Sequence, residues 1–395
     1  MRYKIPLVKN TFINEMGARK KLANFVLSTE ILSMGKQCLK FEKGFAKKQK
    51  RKYAVLFNSG GSANLAMLQT LKNLGRIKKG NRVGFSAVTW STNVMPILQM
   101  ELGAIPVDCD PSTLNSMSRT ALPTLLKERC KVFFLTNVLG FTGDLDKIEK
   151  KCAKNNIIVL EDNCESLGTE LHMGKAGNFS LAASFSFFVA HHMSTIEGGM
   201  VCTNDHDFAE MLRIVRANGW DRNLHPDRQK HWRDKHGIKS EFHAKYTFYD
   251  LGFNLRPTEI TGFLGLHQLP FLSKTFTIRQ RNFARIYKAM YEKGDFILFD
   301  RSHIKLLSSF AIPFICKTPQ LRNKYIEYFS GAGIEIRPMI AGNMQKQPFF
   351  KKYVKRVFNL PGADIIHDNG FYCGNSPDYT QKDIKYIIDS IKNAK

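Results

Sequence analysis

Phe185-Ser-Phe-Phe-Val-Ala-His-His-Met-Ser-Thr-Ile-Glu-Gly-Gly-Met-Val-Cys-Thr203 reads as an aromatic-rich strand that runs into two adjacent histidines, turns at a Gly-Gly corner and continues as a second strand. Outward from this stretch, short β-rich runs alternate with amphipathic helical stretches, and strands are expected at 54–57, 82–86, 105–108, 132–136, 157–161, 183–188 and 200–203. Strands alternating with helices imply an α/β fold, a mostly parallel seven-stranded sheet covered on both faces. Ligands of such sheets lie outside the carboxyl ends of the strands, and the polar residues of this chain cluster there.

Residues 12–50 read as helical, with Phe25, Leu32, Leu39 and Phe45 as spaced apolar positions and Gly35 as an interruption. Between 218 and 246 the composition shifts to a polar loop rich in His, Arg, Lys and Asp, with Trp220 and Trp232. A loop of that length inside a compact domain reads as a lid or a subunit contact. Helical patterns follow from 257 to about 293, and the remainder suits a smaller α/β unit, with strands near 311–314 and 334–337 and helices near 320–332 and from 381. The expected division is a large domain over 1–260 and a small C-terminal domain over 261–395.

Hydrophobic content of 43% with 30 Phe and 14 Pro indicates a globular chain rather than a disordered one. There is no apolar run of about 18 residues, and the first residues lack the apolar core of a signal peptide, so no membrane span is expected and the cytoplasm is the expected compartment. The eight cysteines are scattered without a CxxC pair, which points to reduced thiols and to neither a zinc knuckle nor a disulfide framework. A net charge of +25 raises the question of nucleic acid. The densest cluster, Lys47, Lys48, Lys50 and Arg51, comes with no RNA- or DNA-binding signature, so a solvated basic surface that attracts anionic substrates is the preferred reading.

Three segments carry candidate chemistry. Asn58-Ser-Gly-Gly-Ser-Ala-Asn-Leu ends a strand and opens a helix, so amides near Gly61 and Ser62 face an anion site, although such turns are common before helices. Trp90 follows the next strand and either stacks on a flat heterocycle or fills the core. Val159-Leu-Glu-Asp-Asn-Cys-Glu is an apolar strand ending in carboxylates. Asp162 there either holds a proton on a pyridine nitrogen or caps the following helix.

Taken in order, Asn58-Ser-Gly-Gly-Ser-Ala-Asn-Leu, Thr89-Trp90, Gly103-Ala-Ile-Pro-Val-Asp, Gly140 with Asp144, Glu161-Asp162, Phe185-Ser-Phe-Phe, Glu197-Gly-Gly and Gly252-Phe-Asn-Leu-Arg-Pro-Thr-Glu-Ile resemble the sugar-nucleotide aminotransferase/dehydratase family of fold-type I pyridoxal phosphate (PLP) enzymes. The resemblance spans nearly the whole chain. It implies that Gly61, Ser62 and Ser186 hold the cofactor phosphate, that Trp90 stacks on the ring and that Asp162 pairs with the pyridine nitrogen. Glu165 falls near the ring hydroxyl. Asn254 matches a residue that reaches the phosphate of the neighbouring subunit, which implies a homodimer with a shared active site.

The chain departs from the aminotransferase pattern at His191, where those enzymes carry the lysine that tethers the cofactor. An imidazole makes no stable Schiff base, yet it takes and returns protons near neutrality. His-His-Met-Ser-Thr-Ile-Glu-Gly-Gly, with Arg216-Ala-Asn-Gly-Trp-Asp-Arg, Ile336-Arg-Pro-Met-Ile-Ala-Gly-Asn-Met and Ile366-His-Asp-Asn-Gly-Phe-Tyr, resembles the 3-dehydratase branch of the family, most closely the members acting on GDP-4-keto-6-deoxy-D-mannose. That resemblance implies a reaction in which pyridoxamine phosphate (PMP) engages the 4-keto group of a nucleotide-linked 6-deoxy sugar, the C3 hydroxyl leaves, and glutamate recharges the cofactor. Arg337 would then suit a diphosphate or carboxylate, and His367 a sugar hydroxyl. A second histidine-bearing branch adds an iron-sulfur cluster, but no cysteine occurs between Thr203 and Ile315, so no cluster is expected and Cys164 reads as a buried thiol. Isolated, His191 would read as a satisfied core histidine, as His192 does; the full motif set reverses that reading for His191. Two rivals stand beside the dehydratase: an aminotransferase with a displaced lysine, Lys175 being nearest, and a noncatalytic protein that binds nucleotide sugars or nucleic acid.

Overall fold

The computed structural model describes residues 3–394, so Met1, Arg2 and Lys395, the outermost residues of the two expected domains, lie outside the described residues. The central sheet has seven strands: β1 (Tyr53–Phe57), β2 (Arg82–Ser86), β3 (Gly103–Val107), β4 (Cys130–Thr136), β5 (Ile158–Asp162), β6 (Ala182–Ser186) and β7 (Gly199–Thr203), in the order β1-β7-β6-β5-β4-β2-β3. Every pairing is parallel except the two made by β7, which runs antiparallel to both β1 and β6. The strands are buried along most of their length, as Val-Phe-Phe-Leu in β4 shows, because helices cover both faces and leave no wet side to alternate toward. Phe57, at the end of β1, and Ser186, at the end of β6, both pair with Gly199, the first residue of β7. One rim of the sheet thus gathers the ends of β1, β5 and β6.

The expected N-terminal helix is two helices, α1 (Glu15–Ser28) and α2 (Lys36–Gln49). At the break, Glu259 caps α2 from a distant part of the chain: its carboxylate accepts the backbone N–H groups of Gly35, Gln37 and Cys38 at 2.8, 2.8 and 3.0 Å. α3 (Gly60–Asn73) starts directly after β1, with Ser59 Oγ accepting the Ser62 N–H at 3.1 Å.

The expected long loop between 218 and 246 is corrected by the structure, which folds Pro226–Lys235 into a helix and adds a short one over Glu241–Ala244. No residue of Pro226–Lys235 is fully buried, so it has no apolar stripe to reveal it. It is held instead by polar anchors. Arg228 pairs with Glu210 at 2.5 Å, and Trp232 Nε1 donates to the same carboxylate at 2.8 Å.

The C-terminal part contains a three-stranded antiparallel sheet, β8 (Ala311–Ile315), β9 (Ile336–Pro338) and β10 (Gly370–Gly374), with β10 in the centre. It packs against the long helix Leu272–Lys293 and the helices Pro319–Gly331 and Gln381–Asn393 around Phe314, Phe329, Phe371 and Ile387. The chain's start joins this unit: the Lys4 and Ile5 N–H groups donate to Gly333 O, and Ile5 O accepts from Glu335 N–H. No helix among the described residues is long and apolar enough to cross a membrane.

Candidate active site

Where β1 gives way to α3, the chain passes so close to β7 that only glycine fits. A Cβ on Gly199 would lie 2.1 Å from Ser59 O, and one on Gly60 would lie 2.7 Å from Ser186 Cβ. A Cβ on Gly61 would meet the Thr92 methyl at 2.9 Å. The glycines therefore leave a hollow at the N-terminus of α3, edged by Ser59, Thr92 and Ser186, in which unpaired helix N–H groups face inward. This hollow is one end of a cavity of about 390 Å³ at the carboxyl rim of the sheet. Ser62 lies one residue further along α3, its hydroxyl 2.9 Å from Ser59 Oγ.

At the cavity floor, Asp162 ends β5 and is 3% exposed. Asn64 and Asn93 donate side-chain N–H groups to its Oδ2 at 2.8 and 2.9 Å, and the Cys164 N–H donates to Oδ1 at 2.8 Å. A carboxylate held by three donors keeps acceptor capacity for one more partner on the cavity side. Trp90, 54% exposed, stands at the wall as an unburied indole. Glu165 accepts the Leu139 N–H at 2.9 Å, and burial, reinforced by the Asp162 carboxylate, pushes its carboxyl up to about 8. At neutral pH it holds a proton and can donate it.

His191 sits on the loop between β6 and β7. The loop is closed at its base by Phe187 N–H to Gly198 O and Thr195 N–H to Phe187 O, both 2.9 Å. Within it, Ile196 is held at φ 71°, a costly conformation for a β-branched residue, with its N–H on Ser194 Oγ. The His191 ring packs against Phe310, centroids 5.1 Å apart, and against Phe188 at 6.2 Å. Its Nδ1 is enclosed without a partner, and the residue lines the cavity. Burial and the nearby Arg279 charge lower the imidazole to about 3, which keeps the ring neutral across the physiological range. His192 points the other way and is a core residue, its Nε2 2.9 Å from Ser308 O.

The structure thus brings Gly61, Trp90, Asp162, Glu165, Ser186 and His191 around one cavity. Arg337 and His367 line an adjoining cavity of about 850 Å³, joined to the first through Trp90, Ile340 and Tyr372. Asn254 is exposed and lines neither; its side chain accepts from Arg256 at 3.1 Å. Among the described residues no lysine lines the first cavity. Lys175, the displaced base of the aminotransferase rival, belongs to a separate surface, where it donates to Lys48 O at 2.7 Å, and that reading is corrected. Cys164, expected as a buried thiol, forms part of the cavity wall and is half-buried, its thiol held well above the usual range by burial and by Asp162.

Sequence reasoning missed Asn64, Asn93, Phe310, Tyr372 and Arg279. Asn64 stands inside the Asn58-to-Leu65 stretch, yet neither it nor Asn93 is separable by residue type from an ordinary helix polar residue. Arg279 did carry one: it falls on the buried stripe Leu272, Thr275, Phe276, Arg279, Asn282, Phe283 and Ile286 of the long helix, where a charge has no bland explanation.

Comparison with known proteins gives a consistent match. Residues 15–392 match the profile of the DegT/DnrJ/EryC1/StrS aminotransferase family. A GDP-4-keto-6-deoxy-D-mannose 3-dehydratase of Escherichia coli O55:H7 is 33% identical over 94% of this chain and 96% of its own. A solved GDP-4-keto-6-deoxymannose-3-dehydratase with bound GDP-perosamine superposes with a TM-score of 0.89 at 30% identity, covering 98% of this chain and 100% of the other. Another, with a trapped PLP-glutamate geminal diamine, superposes with a TM-score of 0.88 at 32% identity over 98% and 100%.

Proposed function

Because the chain belongs to the DegT/DnrJ/EryC1/StrS aminotransferase family, we propose that it is a PLP/PMP-dependent 3-dehydratase that removes the C3 hydroxyl of a nucleotide-linked 4-keto-6-deoxy sugar, with GDP-4-keto-6-deoxy-D-mannose as substrate and glutamate as amino donor. The observation that carries this reading is His191 in the wall of a cavity that no lysine among the described residues lines.

The residues fit the cofactor. The hollow that a Cβ on Gly60 or Gly61 would fill, at the N-terminus of α3, has the size and polarity for a phosphate, with Ser62 and Ser186 as hydroxyl partners. Asp162 supplies an anchored carboxylate for a pyridine N–H, and Trp90 a face for the ring. When bound, PMP supplies an amine that condenses with the 4-keto group and a protonated ring that accepts electrons.

What the chain itself does follows from its side chains. Asp162 holds the ring proton. Glu165, carrying its own proton near neutrality, donates a hydrogen bond to the ring hydroxyl. His191, neutral in the cavity wall, would take the proton released at the reacting carbon; because burial and Arg279 disfavour its cation, the ring would then yield that proton to the departing C3 hydroxyl. With no lysine among the described residues at the cavity, they supply no primary amine to complete amino transfer to the sugar. Overall, the sugar loses its C3 oxygen as water, and one water is taken up as glutamate is oxidised to 2-oxoglutarate and its nitrogen leaves as ammonia. In the adjoining cavity Arg337 suits the diphosphate of the substrate and His367 a sugar hydroxyl.

We further propose that the active unit is a cytoplasmic homodimer in which Asn254, exposed and outside both of these cavities, completes the partner's phosphate site. The exposed apolar residues Leu27, Ile31, Phe242, Tyr246 and Leu251 support a covered face.

The test is incubation of the purified protein with PLP, glutamate and a panel of GDP- and dTDP-linked 4-keto-6-deoxy sugars, read by mass. Loss of one oxygen from the GDP-mannose-derived sugar is expected. No change in any sugar, with cofactor bound, would favour the noncatalytic binding protein.

A further inference from the structure

Arg279 is 4% exposed, in the middle of the long helix Leu272–Lys293. Its partners are two neutral carbonyl oxygens, Phe310 O at 2.7 Å and Asn375 O at 2.8 Å, and its Nε has no partner. Among the described residues it makes no ion pair. A buried cation without a carboxylate is expensive, by several kcal/mol in order of magnitude, and such a cost points to a role other than stability. Burial lowers even this guanidinium to about 10, so it stays charged at neutral pH.

The two bonds of Arg279 hold a particular turn. Phe310, whose carbonyl it grips, is the residue whose ring lies against His191 at 5.1 Å and against His192 at 6.1 Å. Ser308, two residues earlier, holds His192 through its carbonyl. Asn375 reinforces the same turn, donating from Nδ2 to Ser309 O at 3.0 Å and to Arg279 O at 3.1 Å. Behind the histidine loop Arg279, His191 and His192 share a small cavity of about 80 Å³, closed by residues of the N-terminal segment and by Tyr372 and Asp378. Asp378 is engaged elsewhere, accepting from Asn10 at 3.0 Å. On the active-site side, Asp162, Glu165 and Glu197 share the cavity with His191.

We infer that Arg279 is a positioning residue for His191, acting through the Ser308–Phe310 turn and through its unpaired charge. This rests on the reading that His191 moves the reacting proton. A lysine at position 191 would carry its own positive charge toward Arg279, whereas an imidazole next to Arg279 is kept in its neutral, proton-accepting form. The buried guanidinium and the histidine therefore form a matched pair.

The test is a nuclear magnetic resonance titration of the full-length protein made with isotope-labelled histidine, cofactor-free and cofactor-loaded, with His191 assigned by comparison with His191→Gln. In the wild type the His191 ring is expected to stay neutral down to pH 5 or below; an ordinary midpoint near 6.5 overturns the proposal without any variant. In Arg279→Met the midpoint is expected to rise by about one pH unit or more. In Arg279→Lys, which keeps the charge but ends one bond short of the Nη1 that makes both hydrogen bonds, the midpoint stays near the wild-type value while the Phe310-to-His191 contact weakens. Equal midpoints in the wild type and a folded Arg279→Met overturn the proposal. These titrations need no turnover, so failure of the dehydratase assay and failure of this inference are separable.

Discussion

At the scale of the residue, the site is a set of side chains whose protonation is fixed by what surrounds them. His191 is the clearest case: replacing it with asparagine keeps a neutral polar side chain and removes the proton carrier. His191→Asn is expected to bind PLP with little change, read by its absorbance, and to lose about 10²–10⁴-fold in C3 deoxygenation. Glu165 gives a prediction about stability. Its carboxyl is raised from 4.5 to about 8 in the folded state, so the folded chain holds a proton that the unfolded chain releases between those values. The resulting stabilisation is fully present below pH 4.5 and lost as pH rises through about 8. Cofactor-free Glu165→Gln is therefore expected to show a smaller drop in Tm between mildly acidic and alkaline pH than the wild type. Most of these residues were legible because each stands in a short local motif at a strand end; His191 was legible by its departure from one. Phe310 was not, since it reaches the cavity from just before β8, more than a hundred residues beyond His191, with no local pattern to mark the approach; Tyr372 ends the Ile366-to-Tyr372 stretch, but nothing local shows that β10 turns it toward this cavity.

At the scale of the element, the seven strands were readable because a sheet covered on both faces requires continuous apolar runs, and helices between them announced themselves by period. The helix Pro226–Lys235 escaped because charged residues surround it and its anchors, Glu210 above all, lie on another helix. A similar cross-element anchor underlies β1. Arg216, fully buried, donates to Glu42 of α2 and to Leu56 O of β1, both at 2.7 Å, and Glu42 accepts the Leu56 N–H at 2.8 Å. Removing one partner strands the other charge in the interior, so Glu42→Gln or Arg216→Met is expected to cost about 3–5 kcal/mol in denaturant unfolding. Because β1 leads directly into the Gly60-Gly61 hollow, the same variants are expected to weaken cofactor retention.

At the scale of the whole molecule, the proposed shared site makes a prediction that no single chain can satisfy. Asn254→Ala and His191→Asn variants, each inactive alone, are expected to regain activity when unfolded together and refolded, because a mixed dimer holds one site with both residues intact. With equal amounts of each, about one quarter of wild-type activity is expected, and no recovery would place Asn254 outside the partner's site. The charge of +25 belongs to this scale as well. Spread over the surface, it is expected to speed capture of a nucleotide diphosphate, so kcat/KM should fall with added salt while kcat holds. The most direct measurement of the central claim, that an imidazole in place of a lysine turns amino transfer into deoxygenation, follows the nitrogen. Supplied with glutamate carrying a heavy nitrogen isotope, PLP and GDP-4-keto-6-deoxy-D-mannose, the enzyme should place the label in free ammonia and give a sugar lacking one oxygen. Label retained in an amino sugar would contradict the account.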